Sequence, residues 1–310
     1  MSLIPNSPAE SIKCFHNLDE ALTQPENVYK LDLHLKNLKN FPEGIFQLTN
    51  LQELNLMNNQ ITHIPPQIAG LKKLQKLELS GNSISELPEE LTELKDLKTL
   101  IVSWNNLEEM PSHIGKMVSL EWLGLNHNNI TSVAPEIGDL SNLKVLVLSD
   151  NELTELPENF CNMKTICKIR ISNNLISNLP ENLGNLTTLR KLEAHENNIT
   201  ELPESIGKLV NLEKLRIYKN LLETLPDSIG NLKKLEKLLV YENDLISLPE
   251  TIGGLTALEE LDLSNNELSD IPNSIQNLKA LDNLDLSKNK FTLEEVDYIG
   301  KLIPNARVVF

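Results

Sequence analysis

The residues that could carry chemistry in this 310-residue sequence are few and scattered. The histidines are His16, His34, His63, His113, His127 and His195, and the cysteines are Cys14, Cys161 and Cys167. Neither set has the spacing of metal ligands, and no nucleophile-elbow, phosphate-loop or dinucleotide motif occurs. Acidic pairs such as Glu259 and Glu260 are common in a chain of net charge −16 and indicate little alone. We therefore expect a non-catalytic protein with no metal and no cofactor.

Charge and composition also limit the partner and the compartment. A net charge of −16 argues against nucleic acid as a partner, because phosphate backbones need a positive surface. No apolar stretch approaches the roughly 20 residues that span a bilayer. The N-terminal segment MSLIPNSPAESIKCF lacks the basic and apolar regions of a signal peptide, and three unpatterned cysteines favour a reducing compartment. We expect a cytoplasmic protein that is not bound to a membrane, with non-classical secretion left open.

The two tryptophans are the remaining unusual side chains. Aromatic residues make up only 4% of the chain, and both tryptophans, Trp104 and Trp122, lie within one short region. Trp104 belongs to the segment TLIVSWNNLEEMP, where most residues follow a pattern of leucine and asparagine. The elements that position these side chains follow from that pattern.

A 23-residue repeat organises the chain. The segment LQELNLMNNQITHIPPQIAGLKK, which starts at Leu51, is followed without insertion by LQKLELSGNSISELPEELTELKD. Twelve units in one phase run from Val28 to about residue 303, with the consensus LxxLxLxxNxLxxLPxxIGxLxx. Position nine is Asn in eleven units, and position fifteen is Pro in ten. Such self-similarity predicts a solenoid in which each unit packs on its neighbours.

The repeat resembles the leucine-rich repeat family over residues 28 to about 303. Its LPxxIGxL half is similar to intracellular Ras-pathway scaffolds, plant Ras-group proteins and bacterial leucine-rich repeat proteins. The C-terminal IGKLIPNARVVF is most similar to the bacterial ones. The resemblance implies an α/β solenoid with a parallel β-sheet on the concave face, short helical or 3₁₀ segments on the convex face, and protein binding on the concave face. Some bacterial relatives carry a separate ubiquitin-ligase domain, for which we find no residues outside the repeats and caps.

The residues support this architecture independently. Positions four and six, such as Leu54 and Leu56, alternate with polar neighbours as in a half-buried strand. The proline at position fifteen ends the turn and begins the convex segment, because it cannot donate within a helix or ladder. The asparagine column is predicted to satisfy backbone groups at the turns and is read as structural.

Capping segments are predicted at both ends. Residues 1–27 are expected to form an N-terminal helical cap, residues 28–303 the twelve repeats, and residues 292–310 a capping helix and an edge strand that overlap the last repeat. Asn17 is a suitable N-cap residue, and Thr292 with Glu295 has the spacing of a capping box. Val308 and Phe310 are expected to point inward. With both ends capped, we expect a nearly complete protein.

Positions three, five, seven and eight should face the concave side, so each can be followed from repeat to repeat. In repeats four to six they predict an apolar patch, which consists of Ile101, Trp104, Trp122, Val145 and Val147, with Gly124 as a dip. Large exposed apolar groups often anchor partners. Two structural alternatives stay open: the valines reflect strand propensity, and Trp104 lies flat over the gap at Gly81.

Repeats seven to ten predict a basic and aromatic stripe. Its members are Lys168, Arg170, Lys191, His195, Lys214, Arg216, Tyr218, Lys237 and Tyr241. The stripe is expected to select an acidic segment of the partner, unless its charges only pair with Glu193 and other neighbours as a solvated ladder.

The leading hypothesis is a non-catalytic scaffold or adaptor that binds a protein on its concave face. A host-directed bacterial effector with the same binding mode is one alternative, and glycan or small-ligand recognition by stacking on Trp and Tyr is another. We expect a monomer, with self-association through the apolar patch left open.

Overall fold

A single parallel sheet forms one side of the protein. The computed structural model describes residues 13–310 and contains fourteen strands in sequence order. The strands are β1 (Cys14–Phe15), β2 (Lys30–Asp32), β3 (Glu53–Asn55), β4 (Lys76–Glu78), β5 (Thr99–Ile101), β6 (Trp122–Gly124), β7 (Val145–Val147), β8 (Lys168–Arg170), β9 (Lys191–Glu193), β10 (Lys214–Arg216), β11 (Lys237–Leu239), β12 (Glu260–Asp262), β13 (Asn283–Asp285) and β14 (Arg307–Val309). The sheet is open and lines the concave side of a solenoid, which confirms the predicted fold class.

The connections between strands run through short 3₁₀ segments. These are Pro25–Asn27, Glu43–Gln47, Pro66–Gly70, Glu89–Glu93, Ser112–Lys116, Pro135–Asp139, Glu158–Asn162, Leu183–Asn185, Glu204–Lys208, Asp227–Asn231, Glu250–Gly254 and Asn273–Asn277. Two α-helices lie near the ends, α1 (Leu18–Leu22) and α2 (Leu293–Leu302). A parallel strand needs such a crossover before the chain can rejoin the sheet.

The register of the sheet equals the period of the sequence. Lys30 pairs with Glu53 and Trp122 pairs with Val145, each 23 residues further along the chain. Positions four and six of successive repeats therefore stack into rows of buried leucines, such as Leu100 and Leu123. This continuous core explains why the apolar content is carried by aliphatic rather than aromatic residues.

The asparagine column satisfies backbone groups of two neighbouring repeats. Asn128 donates through Nδ2 to the carbonyls of Val102 at 2.9 Å and Leu125 at 3.0 Å. Its Oδ1 accepts a hydrogen bond from the amide of Leu107 at 3.0 Å. The equivalent atoms of Asn105 and Asn174 make corresponding bonds. The column is thus a structural feature of the turns, because each buried amide replaces the water that those groups would otherwise need.

The residue before each of these asparagines adopts a left-handed backbone conformation. Position eight has a positive φ in every repeat, from Leu35 at 56° to Lys288 at 56°. Gly adopts this conformation readily and Asn tolerates it, whereas most other residues rarely adopt it. Trp104 occupies this position with φ of 56°. The turn therefore directs the Trp104 side chain away from the strand alternation that governs positions three and five.

Small residues permit close contact on the convex side. A Cβ atom at Gly184 would lie 2.1 Å from the carbonyl oxygen of Ser205 in the next repeat. Repeat seven differs slightly from its neighbours because the Glu158 carboxylate accepts hydrogen bonds from the amides of Glu181 and Asn182. Its 3₁₀ segment accordingly begins two residues later than in most repeats, at Leu183.

Helices lie over both ends of the described chain. Asn17 accepts a hydrogen bond from the amide of Glu20, and α1 buries Ala21 against the core. The first twelve residues of the predicted N-terminal cap lie outside the described residues. Thr292 and Glu295 form the reciprocal hydrogen bonds of a capping box at the start of α2. No helix within residues 13–310 is both long and apolar enough to cross a membrane.

The end of the chain departs from one expectation. Val308 is partly buried against the core, but Phe310 is 43% exposed. Strand β14 ends one residue earlier, at Val309, so the ladder no longer fixes the direction of the Phe310 side chain. Its ring lies edge-on to Phe291, with the ring centroids 6.3 Å apart.

Candidate functional site

The apolar patch presents two large exposed side chains. Trp104 is 60% exposed and Trp122 is 42% exposed, while Ile101 and Val145 are half-buried. Trp122 lies directly beside Val145 in the sheet, because they are partners in the β6–β7 register. Strands β5 to β7 therefore bring Ile101, Trp122 and Val145 to one accessible region, whereas Trp104 lies in the turn after β5.

Two members of this region differ from expectation. Val147 is only 7% exposed and lines a hollow together with Arg170 and Ser149. It can contribute little contact area. The dip at Gly124 is also partly filled: a Cβ atom there would lie 3.1 Å from Ile101 Cγ2 and 3.6 Å from Trp122 Nε1. Ile101 and Trp122 thus pack beside each other across the glycine.

Trp104 stacks on the next repeat instead of covering Gly81. Its ring and that of His127 have centroids 3.6 Å apart and an interplanar angle of 20°. The space at Gly81 is taken by Asn58, whose Oδ1 would lie 2.3 Å from an added Cβ atom. His127 Nε2 in turn lies 3.3 Å from an Asp150 carboxylate oxygen. Trp104 is therefore an exposed side chain held in place by stacking.

The basic stripe is organised around one carboxylate. Glu193 is mostly buried and lies 3.6 Å from Lys168 Nζ, 3.0 Å from Arg170 Nε and 3.8 Å from Arg216 Nη1. Burial is the main reason that the pKa of Lys168 is lowered, with the neighbouring Arg170 and Lys191 acting in the same direction. Three cations against one anion leave an excess of positive charge at this point of the sheet.

The other lysines of the stripe differ in their pairing. Lys237 Nζ lies 2.5 Å from Glu260 in the neighbouring strand, so its charge is largely neutralised. Lys191 and Lys214 have no carboxylate within 4.0 Å among residues 13–310. The stripe is therefore partly a charge ladder and partly a set of free cations.

Three rings form an aromatic column along position seven. His195 stacks on Tyr218, and Tyr218 stacks on Tyr241, each pair with centroids 4.2 Å apart and planes 9° apart. Burial lowers the pKa of His195. Burial, followed by the neighbouring Tyr218, raises the pKa of Tyr241. Both shifts favour the neutral form of the side chain concerned.

A hollow of about 290 Å³ lies between the apolar patch and the aromatic column. It is lined by Asn126, Val147, Ser149, Asp150, Arg170, Ser172, Asn173, Glu193, His195 and Glu196. The hydroxyl of Ser172 and His195 Nδ1 are buried without a hydrogen-bond partner in the described part of the chain, whereas Arg170 Nε contacts Glu193. Within residues 13–310, no group of three or more His, Cys, Asp or Glu side chains is arranged to hold a metal ion.

Some of these features were missed at the level of the sequence. Asp150 and the two serines at position seven, Ser149 and Ser172, were not singled out. The sequence does contain a pattern that distinguishes them, because position seven is Ser, Ser, His, Tyr and Tyr in repeats six to ten. Two small residues are thus followed by three rings. The stacking of Trp104 on His127 was less accessible, since it depends on the left-handed turn.

The chain resembles solved structures along most of its length. It superposes on a leucine-rich repeat protein of Leptospira interrogans with a TM-score of 0.62 at 27% identity, covering 96% of this chain and 100% of that one. An internalin of Listeria monocytogenes shares the fold, with a TM-score of 0.74 at 24% identity over 93% and 88% of the two chains. The plant peptide hormone receptor RGFR1, in complex with RGF2, gives a TM-score of 0.71 at 26% identity. This chain is covered to 96% but spans about half, 53%, of that receptor chain.

The family assignment rests on the repeats themselves. No curated protein matches the chain. The family model for a leucine-rich repeat region matches residues 27–123, 111–198 and 177–298, which together include most of the sequence. With the 23-residue register of the sheet and the asparagine column, these matches identify the chain as a member of the leucine-rich repeat family.

Proposed function

We propose that this protein is a non-catalytic scaffold that binds a protein partner on the concave face of its sheet. The observation that carries the proposal is the exposure of both tryptophans of the chain on adjacent repeats. Tryptophan is among the residues that contribute most to binding energy at protein interfaces. The family and its structural neighbours support protein binding in general, as in the RGFR1 complex with RGF2.

The apolar half of the proposed interface consists of Trp104, Trp122, Ile101 and Val145. These side chains have limited freedom before binding, because Trp104 stacks on His127 and Trp122 packs beside Ile101. A side chain that is already ordered loses less entropy when a partner covers it. Such a surface can contribute affinity that a mobile side chain of equal area would not.

The basic half is proposed to select an acidic segment of the partner. Lys191 and Lys214 support this because they lie side by side in β9 and β10 and have no carboxylate partner within residues 13–310. The chain as a whole is strongly acidic, so a local group of free cations stands out in its field. Charge complementarity of this kind mainly increases the rate and specificity of association.

The alternatives to this binding mode receive less support. In the aromatic column the ring faces of Tyr218 lie against His195 and Tyr241, so they are not free to stack on a sugar. A host-directed effector would use the same surface with a different partner. We propose a monomer in the cytoplasm, in keeping with the three free cysteines.

The double variant Trp104→Ala and Trp122→Ala tests the proposal. Affinity purification with mass spectrometry, from lysates of the source organism and of a host, identifies partners of the wild type. Loss of two interface anchors should weaken their binding by about 2 kcal/mol or more, which is roughly 30-fold or more. The melting temperature should change little, because both side chains are exposed.

A matched control removes exposed apolar groups elsewhere. Val118 and Val210 are exposed in the turns that follow two convex segments, so Val118→Ala with Val210→Ala should leave partner binding unchanged. Undiminished binding by the tryptophan variant, or equal loss in the valine control, would reject the concave face as the binding surface.

A further inference from the structure

The aromatic column ends at His195, although the row of position-seven residues continues into repeat seven. Tyr218 covers one face of the His195 ring, and the opposite face is directed along the row toward repeat seven. The next residues at position seven are Ser172 and Ser149, whose side chains are small. Strands lie roughly 4.8 Å apart, so a ring above Ser172 would lie at stacking distance from His195.

The hollow described above occupies this place. It is open to solvent, and its volume of about 290 Å³ leaves room for one planar ring. Val147 contributes an apolar side chain to its lining, and His195 contributes an aromatic ring. The hollow therefore has the size and the lining for one planar ring.

Polar groups around the hollow favour a ring with a hydroxyl. Ser172 is only 4% exposed, and its hydroxyl has no hydrogen-bond partner within residues 13–310. A buried hydroxyl without a hydrogen-bond partner is unfavourable, and a polar group of a ligand can supply that partner. Asp150 and Glu196 supply carboxylate acceptors at the rim.

The carboxylates that line the hollow are already paired with cations. Glu193 contacts Lys168, Arg170 and Arg216. Glu196 lies 3.3 Å from Lys219 Nζ, and Asp150 lies 3.3 Å from His127 Nε2. The opposite charges around the hollow largely balance, so a neutral ring with a polar group suits it.

The geometry points to this hollow as a slot for a tyrosine side chain of the protein partner. The tyrosine ring would continue the column of His195, Tyr218 and Tyr241 above Ser172, and its hydroxyl would bind the polar rim. This inference rests on the proposed function, since it adds a specific subsite to the concave face.

Two variants and one small probe test the slot. Position seven already carries Tyr in repeats nine and ten, so the fold accepts Ser172→Tyr, which fills the slot from within. The control is Ser264→Tyr at the other end of the column, beside Tyr241 and outside the hollow. The probe is p-cresol, the side-chain analogue of tyrosine, with cyclohexanol as a non-aromatic comparison.

The readout is the NMR signal of the His195 imidazole, assigned by its loss in His195→Phe. In the wild type and in Ser264→Tyr, p-cresol should move this signal upfield by ring current and saturate, whereas cyclohexanol should not. Ser172→Tyr should show the upfield position without a probe and no further response. It should also weaken a tyrosine-dependent partner at least tenfold.

The outcomes that overturn the slot are separable from failure of the proposed function. Absence of a p-cresol shift at His195 in the wild type, or an unchanged response in folded Ser172→Tyr, contradicts the slot. The wild-type titration decides the matter even if Ser172→Tyr fails to fold. The proposed function stands or falls separately, by the effect of Trp104→Ala and Trp122→Ala on partner binding.

Discussion

Single residues in this protein are constrained mainly by the turn that follows each strand. The asparagine at position nine must hold three backbone groups, and the residue before it must adopt a positive φ. The first constraint was predictable, because the Asn column is visible in eleven of twelve repeats. The second was only suggested by Gly81 and by asparagines such as Asn58, since Trp104 and Glu196 occupy the same conformation. Position eight therefore looked like a free surface position although its backbone is restricted.

A pair of adjacent asparagines tests the structural role of the column. Asn128→Ala should leave the carbonyls of Val102 and Leu125 and the amide of Leu107 without their partner. We expect a loss of roughly 2–5 kcal/mol in the free energy of unfolding. Its exposed neighbour Asn129 makes no comparable bonds, so Asn129→Ala should change stability by less than about 0.5 kcal/mol. Urea unfolding followed by circular dichroism compares the two, and similar midpoints would contradict the assigned role.

At the scale of the strands, the repeat period correctly predicted which residues are neighbours in the sheet. Lys191 pairs in register with Lys214, and Trp122 with Val145, as a fixed 23-residue period requires. The 23-residue period alone could not predict how far each side chain is buried. Val147 is buried and Glu193 contacts three cations, because neighbouring side chains differ in length and charge. Residues at the same position of successive repeats are therefore predicted to be neighbours in the sheet. Their exposure depends on the local shapes of the side chains.

The aromatic column should make stability depend on pH through His195. Burial lowers the pKa of His195, and Arg216 acts in the same direction against Glu196 and Glu193. The unfolded chain then binds a proton near pH 6.5 that the folded chain resists. The contribution of His195 is present above that pH and is lost as the pH falls.

The variant His195→Phe should consequently lose less stability between pH 7.5 and pH 5 than the wild type does. Phenylalanine preserves the ring in the column and cannot titrate. The exposed His63 provides a control, since His63→Phe should keep the wild-type dependence. Melting temperatures across this pH range give the comparison, and parallel curves for the wild type and His195→Phe would refute the argument.

At the scale of the whole molecule, fourteen parallel strands place the proposed interface on one continuous surface. Repeats four to six contribute exposed apolar groups and repeats seven to ten contribute cations and stacked rings. Seven strands from β5 to β11 cover roughly 30 Å along the stack, at about 4.8 Å per strand. A partner that uses both halves must therefore be an extended segment or a broad face, and a compact single loop would reach only one of them.

Hydrogen exchange of the complex shows which face of the solenoid the partner covers. The partner identified by affinity purification is bound to the full chain, and amide exchange is measured by mass spectrometry with and without it. We expect slower exchange in segments 99–104, 122–127 and 168–172 of the concave side, with no change in the convex segments 112–116 and 204–208. Protection of the convex segments with unchanged exchange in the strands would contradict binding on the concave face.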